Sequence, residues 1–189
     1  MSPPTLYLGI SGVLHPAESL YTMLHGKSPW DDGHSRYESA PVLAAALDRW
    51  PAVEIVLTSM LPRVQGLETV LQQLGSSLAR RVVGCTQEDL TNRVKRTVST
   101  RRGGARTVGF STNDYRRMNK AEIVTTHVAW RRPIAWVAID DEDILWPRDV
   151  RRDRLVLTDE CVGLASAEAQ DRLLTLLLGN FGPACGRIA

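Results

Sequence analysis

Apolar residues in this chain fall into short runs separated by polar and turn-forming segments, and two periodicities alternate along its length. Thr5–Ile10 (Thr-Leu-Tyr-Leu-Gly-Ile) is a continuous apolar run closed by Ser11-Gly12, the pattern of a buried strand entering a turn. Val53–Leu57 repeats it and closes on Thr58-Ser59. Arg80–Cys85, Ile134–Ile139 and Arg154–Leu157 read as further strands, and Asp140-Asp141 follows Ile134–Ile139, the last long one. Between these runs the period changes. Pro41–Trp50 is rich in Ala and Leu, with Pro41 at a first helical position. Arg63–Leu74 sets Val64, Leu67, Val70, Leu71 and Leu74 on one helical face and stops at Gly75. Asn119–Trp130 and the amphipathic Ser166–Leu178 complete the predicted helices. His15–Ser39, rich in Gly, Pro, Ser and Asp, follows neither period and reads as an excursion from the core.

Strands that alternate with helices predict an α/β protein with a mainly parallel sheet and helices on both faces. In such sheets ligands bind outside the carboxyl ends of the strands, which gathers Ser11, Thr58, Ser59, Asp140 and Asp141 around one crevice. A length of 189 residues suits one domain, residues 1–189, with 15–39 as a small cap and 87–117 as a basic insertion. Composition narrows the class further. With 43% hydrophobic and 23% charged residues the chain is an ordinary globular protein, and a net charge of +2 gives no global polyanion-binding character. Cys85, Cys161 and Cys185 are odd in number and widely spaced, which disfavours a disulfide framework or a Cys zinc site and fits a reducing cytoplasm. The N-terminus lacks the charged and apolar regions of a signal peptide. The longest apolar run, near Leu173–Leu178, is far short of the ~20 residues of a membrane span, so no membrane partner is expected.

The chemistry concentrates at the strand ends: Gly9-Ile10-Ser11-Gly12, Thr58-Ser59, Lys120 at a helix start, and Asp140-Asp141-Glu142-Asp143. Hydroxyls and an ammonium suit phosphate oxygens, and paired carboxylates suit Mg²⁺. In this order, with Leu6–Pro16, Ile55–Ser59, Val137–Asp143, Leu155–Asp159 and Gly163-Leu164, the chain resembles the haloacid dehalogenase-like (HAD) hydrolase superfamily. It is most similar to the small HAD domains of multifunctional RNA-repair proteins, and Ser76–Tyr115 matches least.

The resemblance implies a Rossmann-like three-layer α/β sandwich with a small cap-like insertion, and a phosphoaspartate mechanism. In the family's first motif two aspartates flank one residue; the first attacks phosphorus and the second is the general acid/base. Gly9 and Ser11 stand at those positions here. Thr58 matches the second motif's hydroxyl, with Ser59 the register-shifted alternative; Lys120 matches the third motif, and Asp140 and Asp141 the metal-binding fourth, with Asp143 in support. Glycine offers no nucleophile, a Ser hydroxyl is a poor acid or base near neutral pH, and Mg²⁺ loses a carboxylate. The expectation is therefore a catalytically impaired phosphatase fold that binds a phosphate-bearing small molecule or a protein partner. Ser11, Thr58, Ser59, Lys120 and the backbone N–H groups after Ser11 would hold the phosphate, and Mg²⁺ would bind weakly at Asp140 and Asp141. The alternatives are a HAD-like phosphohydrolase using metal-activated water, a nucleic-acid-binding or repair accessory module, and an interaction protein without a ligand.

The nucleic-acid alternative rests on Arg93, Lys95, Arg96, Arg101, Arg102 and Arg106, a basic stretch with no acidic residue, each cation adding salt-sensitive affinity for phosphates. Aromatic residues are absent there, which argues against base stacking. Arg148, Arg151, Arg152 and Arg154 form a second cluster diluted by Asp149 and Asp153. In the excursion, His15, His25 and His34 with Asp31 and Asp32 have no metal-site spacing, and Tyr21, Trp30 and Tyr37 are expected to touch whatever enters the crevice. Two plainer readings stand beside these. Thr58-Ser59 also suits the cap of a helix starting near Pro62, and Ser11-Gly12 an ordinary turn.

Overall fold

A computed structural model describes residues 2–99 and 105–183. Five strands, β1 (Thr5–Leu8), β2 (Glu54–Leu57), β3 (Val82–Cys85), β6 (Trp136–Asp140) and β7 (Leu155–Leu157), form one parallel sheet in the order β3-β2-β1-β6-β7. β4 (Lys95–Ser99) and β5 (Ala105–Gly109) form a separate antiparallel hairpin. The helices are α1 (Glu18–His25), α2 (Ala40–Leu47), α3 (Leu61–Gln65), α4 (Leu67–Leu74), α5 (Ser76–Ala79), α6 (Thr86–Asn92), α7 (Thr112–Arg117), α8 (Lys120–Arg131), α9 (Arg148–Arg154) and α10 (Ala167–Phe181). This is the expected Rossmann-like α/β architecture.

The central strand explains the layering. All four residues of β1 are buried, as an inner parallel strand covered on both faces requires. Leu6 and Leu8 join Ile55, Leu57, Val137 and Ile139 under α2, α4 and α10, while Tyr7 faces the other way with Val56, Ala138, Ala121 and Val124 against α8. The chain builds β1, β2 and β3 outward in one direction, then returns to the other side of β1 with β6. The C-terminal ends of β1 and β6 therefore flank the topological switch point, where such sheets open a crevice.

Three departures from expectation have a clear physical reason. β1 stops at Leu8 rather than Ile10, because Gly9 makes its last sheet bond to Ile139 O (2.9 Å) and the chain then turns. The helix expected over Arg63–Leu74 is two helices, broken at Gly66, whose φ of 88° and ψ of 140° are accessible to glycine. Val64 consequently points to solvent, 75% exposed, rather than onto the common face. α9 had no apolar period to announce it: it buries none of its residues.

On the α8 side of the sheet runs a buried polar chain that the apolar pattern concealed. His127, fully buried, donates from Nε2 to Asp89 Oδ2 (3.1 Å) and accepts at Nδ1 from the Tyr7 hydroxyl (2.9 Å). Arg93 Nη1 closes on the other oxygen of Asp89 at 3.3 Å. Each buried donor and acceptor is matched, so removing the centre strands both neighbours. His127→Leu is expected to destabilise the fold by about 3 kcal/mol, the cost of leaving the buried Asp89 Oδ2 and the Tyr7 hydroxyl without their partner. Denaturant midpoints should show it, against no change for His25→Ala on the exposed face of α1.

Candidate functional site

The crevice is organised around one carboxylate. Asp140, the last residue of β6, is 2% exposed, and burying a charge is tolerated only when it is paired and hydrogen-bonded. Lys120 Nζ lies 3.0 Å from Asp140 Oδ2, the Thr58 hydroxyl donates to the same oxygen at 3.4 Å, and Glu142 N donates to Oδ1 at 3.3 Å. Lys120 can reach because it is the first residue of α8, which Asn119 and Glu122 start with a reciprocal capping box (2.9 and 3.1 Å). Thr58 follows β2 directly and is held in register by its own N–H on Leu8 O (2.9 Å). Three separate segments thus deliver Thr58, Lys120 and Asp140 to one point.

Asp141 lies against the turn after β1. A Cβ on Gly12 would fall 2.1 Å from Asp141 Oδ2, and Gly12 has φ +72°, so only glycine fits. Burial first, then the negative charge of Asp140 and a hydrogen bond to it, raises the Asp141 carboxyl well above the usual carboxylate range, with Lys120 opposing. Thr158, after β7, ties the same turn down by donating to Gly12 O (2.8 Å).

Gly9 sits where β1 meets β6. A Cβ there would lie 3.0 Å from Asp140 Oδ2 and 3.1 Å from Val13 Cγ2, so the side chain missing at this position is one that would point at Asp140. Ser11 is exposed at the crevice edge. The backbone N–H groups beyond it are not available to an anion as expected: Gly12 N bonds His15 O (2.8 Å), and Val13 and Leu14 N both bond Ile10 O (3.2 and 2.8 Å). Ser59 and Thr58 divide the two roles foreseen for them. Ser59 Oγ accepts from Leu61 N (3.1 Å) at the start of α3, whereas Thr58 faces Asp140.

The 15–39 excursion folds as α1 and a 3₁₀ turn, Pro29–Asp32. Its aromatic residues contact other residues of the same segment. Tyr21 donates to Asp32 (2.6 Å), Trp30 lies between the His15 ring (5.6 Å) and the Arg36 guanidinium (4.6 Å), and Tyr37 packs on His15. Its histidines gather no metal site: among the described residues no group of three potential ligands occurs.

Of the basic stretch, Arg101 and Arg102 lie outside the described residues, and so does the side chain of Arg106. Lys95 is exposed on β4. Arg93 is engaged with Asp89, and Arg96 with Asp114 (2.8 Å) while stacking on Phe110 (4.6 Å). The second cluster lines a different feature, a cavity of about 980 Å³ along the β7 edge between α9 and α10 that includes Arg148, Arg151, Arg152 and Thr158 but not the crevice residues Thr58, Lys120, Asp140 or Asp141.

With this geometry in place, a family profile described as "HAD domain in Swiss Army Knife RNA repair proteins" matches residues 5–169. No curated protein and no solved structure matches the chain significantly.

Two outcomes follow from the charges. Lys120→Met leaves Asp140 buried without its cation and should cost about 2–4 kcal/mol, the upper figure softened because Lys120 keeps some solvent contact. Asp140→Asn should cost less, and the double variant less than the sum, a coupling that a double-mutant cycle of thermal unfolding measures. His15 provides a pH signature. Burial, reinforced by Arg36, lowers its pKa from 6.5 to about 4. The unfolded chain then binds the proton first, so stability is complete above pH 6.5 and falls as pH drops towards 4. About 2 kcal/mol should be gone by pH 5. His15→Gln should flatten the urea-midpoint profile between pH 7 and 5.

Proposed function

Because the chain belongs to the family of HAD domains in Swiss Army Knife RNA repair proteins, we propose that it keeps the crevice of that fold as a phosphate-binding site while lacking the family's phosphoenzyme chemistry. The carrying observation is Gly9. The position that the family resemblance gives to the attacking carboxylate holds no side chain, and the space facing it belongs to Asp140 Oδ2, already bonded by Lys120 and Thr58. Without a nucleophile no covalent phosphoryl intermediate forms, and the exposed hydroxyl of Ser11 cannot substitute for a carboxylate that protonates a leaving group.

The residues do not suit a divalent cation well. Mg²⁺ demands several hard oxygens, yet only Asp140 and Asp141 converge here, Asp140 is neutralised by Lys120, and no third ligand joins them among the described residues. No catalytic step is therefore assigned to a metal, and the reading of a metal-activated water has less support than binding alone. What the chain's own residues do is simpler. Lys120 keeps its bond to Asp140 and offers the remaining donors of its Nζ to phosphate oxygens beside Thr58, Ser11 contributes from the rim, and charge-assisted bonds of this kind are the strong ones. The family description makes the end of an RNA strand a natural source of that phosphate.

Generic phosphate esters should show no turnover with or without Mg²⁺. Magnesium-dependent hydrolysis abolished by Asp140→Asn would sink the proposal. Inorganic phosphate in EDTA should shift NMR signals of Thr58 and Lys120, and Lys120→Ala should remove the effect. Gly9→Asp with Ser11→Asp should bring measurable Mg²⁺ binding by calorimetry, at the expense of metal-free stability, since the new Cβ at residue 9 is only 3.0 Å from a carboxylate oxygen.

A further inference from the structure

The net charge of +2 conceals a sharp division. Residues 93–120 hold nine Lys/Arg and a single carboxylate, Asp114, a formal +8, which leaves −6 on the other 161 residues. Part of this excess is spent internally on Asp89 and Asp114. The remainder of the described part includes Arg116 and Arg117, exposed in the last turn of α7.

Contacts seat α7 on the crevice. The Tyr115 hydroxyl and Thr86 Oγ1 are 2.8 Å apart, and Thr86 Oγ1 donates to Leu57 O (3.3 Å), the residue before Thr58. Tyr115 therefore faces the end of β2, with Arg116 and Arg117 on the outer side. Arg117 precedes Lys120 by three residues, a span of at most about 11 Å. Arg63 of α3 reaches the start of α7, its Nη1 donating to Thr112 Oγ1 (3.1 Å), and a helix of this length runs only about 9 Å. Among the described residues no carboxylate pairs with Arg63, Arg116 or Arg117. Guanidinium groups left in this state match phosphate oxygens in charge and in fork geometry.

We infer that Arg63, Arg116 and Arg117 form a second phosphate subsite beside the crevice, so that the ligand is a strand of linked phosphates, a single-stranded oligonucleotide, rather than an isolated monoester. The inference rests on the crevice reading only for the strand's terminal phosphate. Phe110 is covered by Arg96 and Tyr115 is buried, so neither ring offers a stacking platform, and contact is to the backbone without base preference.

The test is fluorescence anisotropy of a short labelled single-stranded RNA, with and without a terminal phosphate, between about 50 and 200 mM salt. Arg116→Gln with Arg117→Gln should weaken binding equally across sequences and flatten the slope of log K against log salt by about 1.4, two contacts at roughly 0.7 each. Both positions are exposed, and circular dichroism should show an unchanged fold. Binding and slope equal to the parent's would overturn the inference. The crevice is read separately, from inorganic phosphate shifts at Lys120. If those are absent while the arginine variants still weaken strand binding, the crevice reading fails and the arginine subsite stands.

Discussion

A carboxylate with almost no solvent contact must find its counter-charge within the protein, and at Asp140 that requirement sets the geometry of the whole crevice. The carboxylate sits at the end of β6 because the sheet turns there, and its three bonds come from after β2, from the first residue of α8 and from its own following turn. None of these can move far without leaving a buried charge unmatched, a penalty of several kcal/mol. The strand order, the capping box of α8 and the register of β1 on β2 are thus tied to one electrostatic condition. The glycine at residue 9 fits the same condition, since any larger residue would press on the oxygen that Lys120 and Thr58 already hold.

The parts of the fold legible in sequence were those in which burial dictates residue type. β1, β2 and β6 are covered on both faces and so wrote continuous apolar runs, and α8 and α10 wrote capped, periodic ones. The elements that escaped obey other rules. α9 packs little apolar surface and carries arginines and aspartates, so no stripe revealed it. Gly66 splits a helix whose apolar spacing is continuous, because backbone torsion outweighs periodicity. The Tyr7–His127–Asp89 chain was invisible because its members lie in three separate segments and meet only through the tertiary fold.

The crevice shows a similar division. Thr58, Lys120 and Asp140 were found because each stands where a strand ends or a helix begins, positions that topology brings together. What could not be read was which bonds were already taken. The amides after Ser11 close their own turn and Ser59 holds α3, so a donor present in the sequence is not a donor available to a ligand. The same accounting redirects the basic segment: Arg93 and Arg96 are engaged within the fold, and the cations left for a partner include the two at the end of α7.

β1 has its two neighbours at very different distances along the chain: residue 5 pairs with residue 54 on one side and with residue 136 on the other. During synthesis the first strand can settle against β2 early, but its second edge stays open until some eighty further residues have emerged. For that interval an apolar strand offers unpaired amides to any extended segment nearby, a state prone to mispairing and aggregation. The late arrival of β6 therefore does two things at once, delivering Asp140 to its partners and closing the most adhesive surface of the nascent chain.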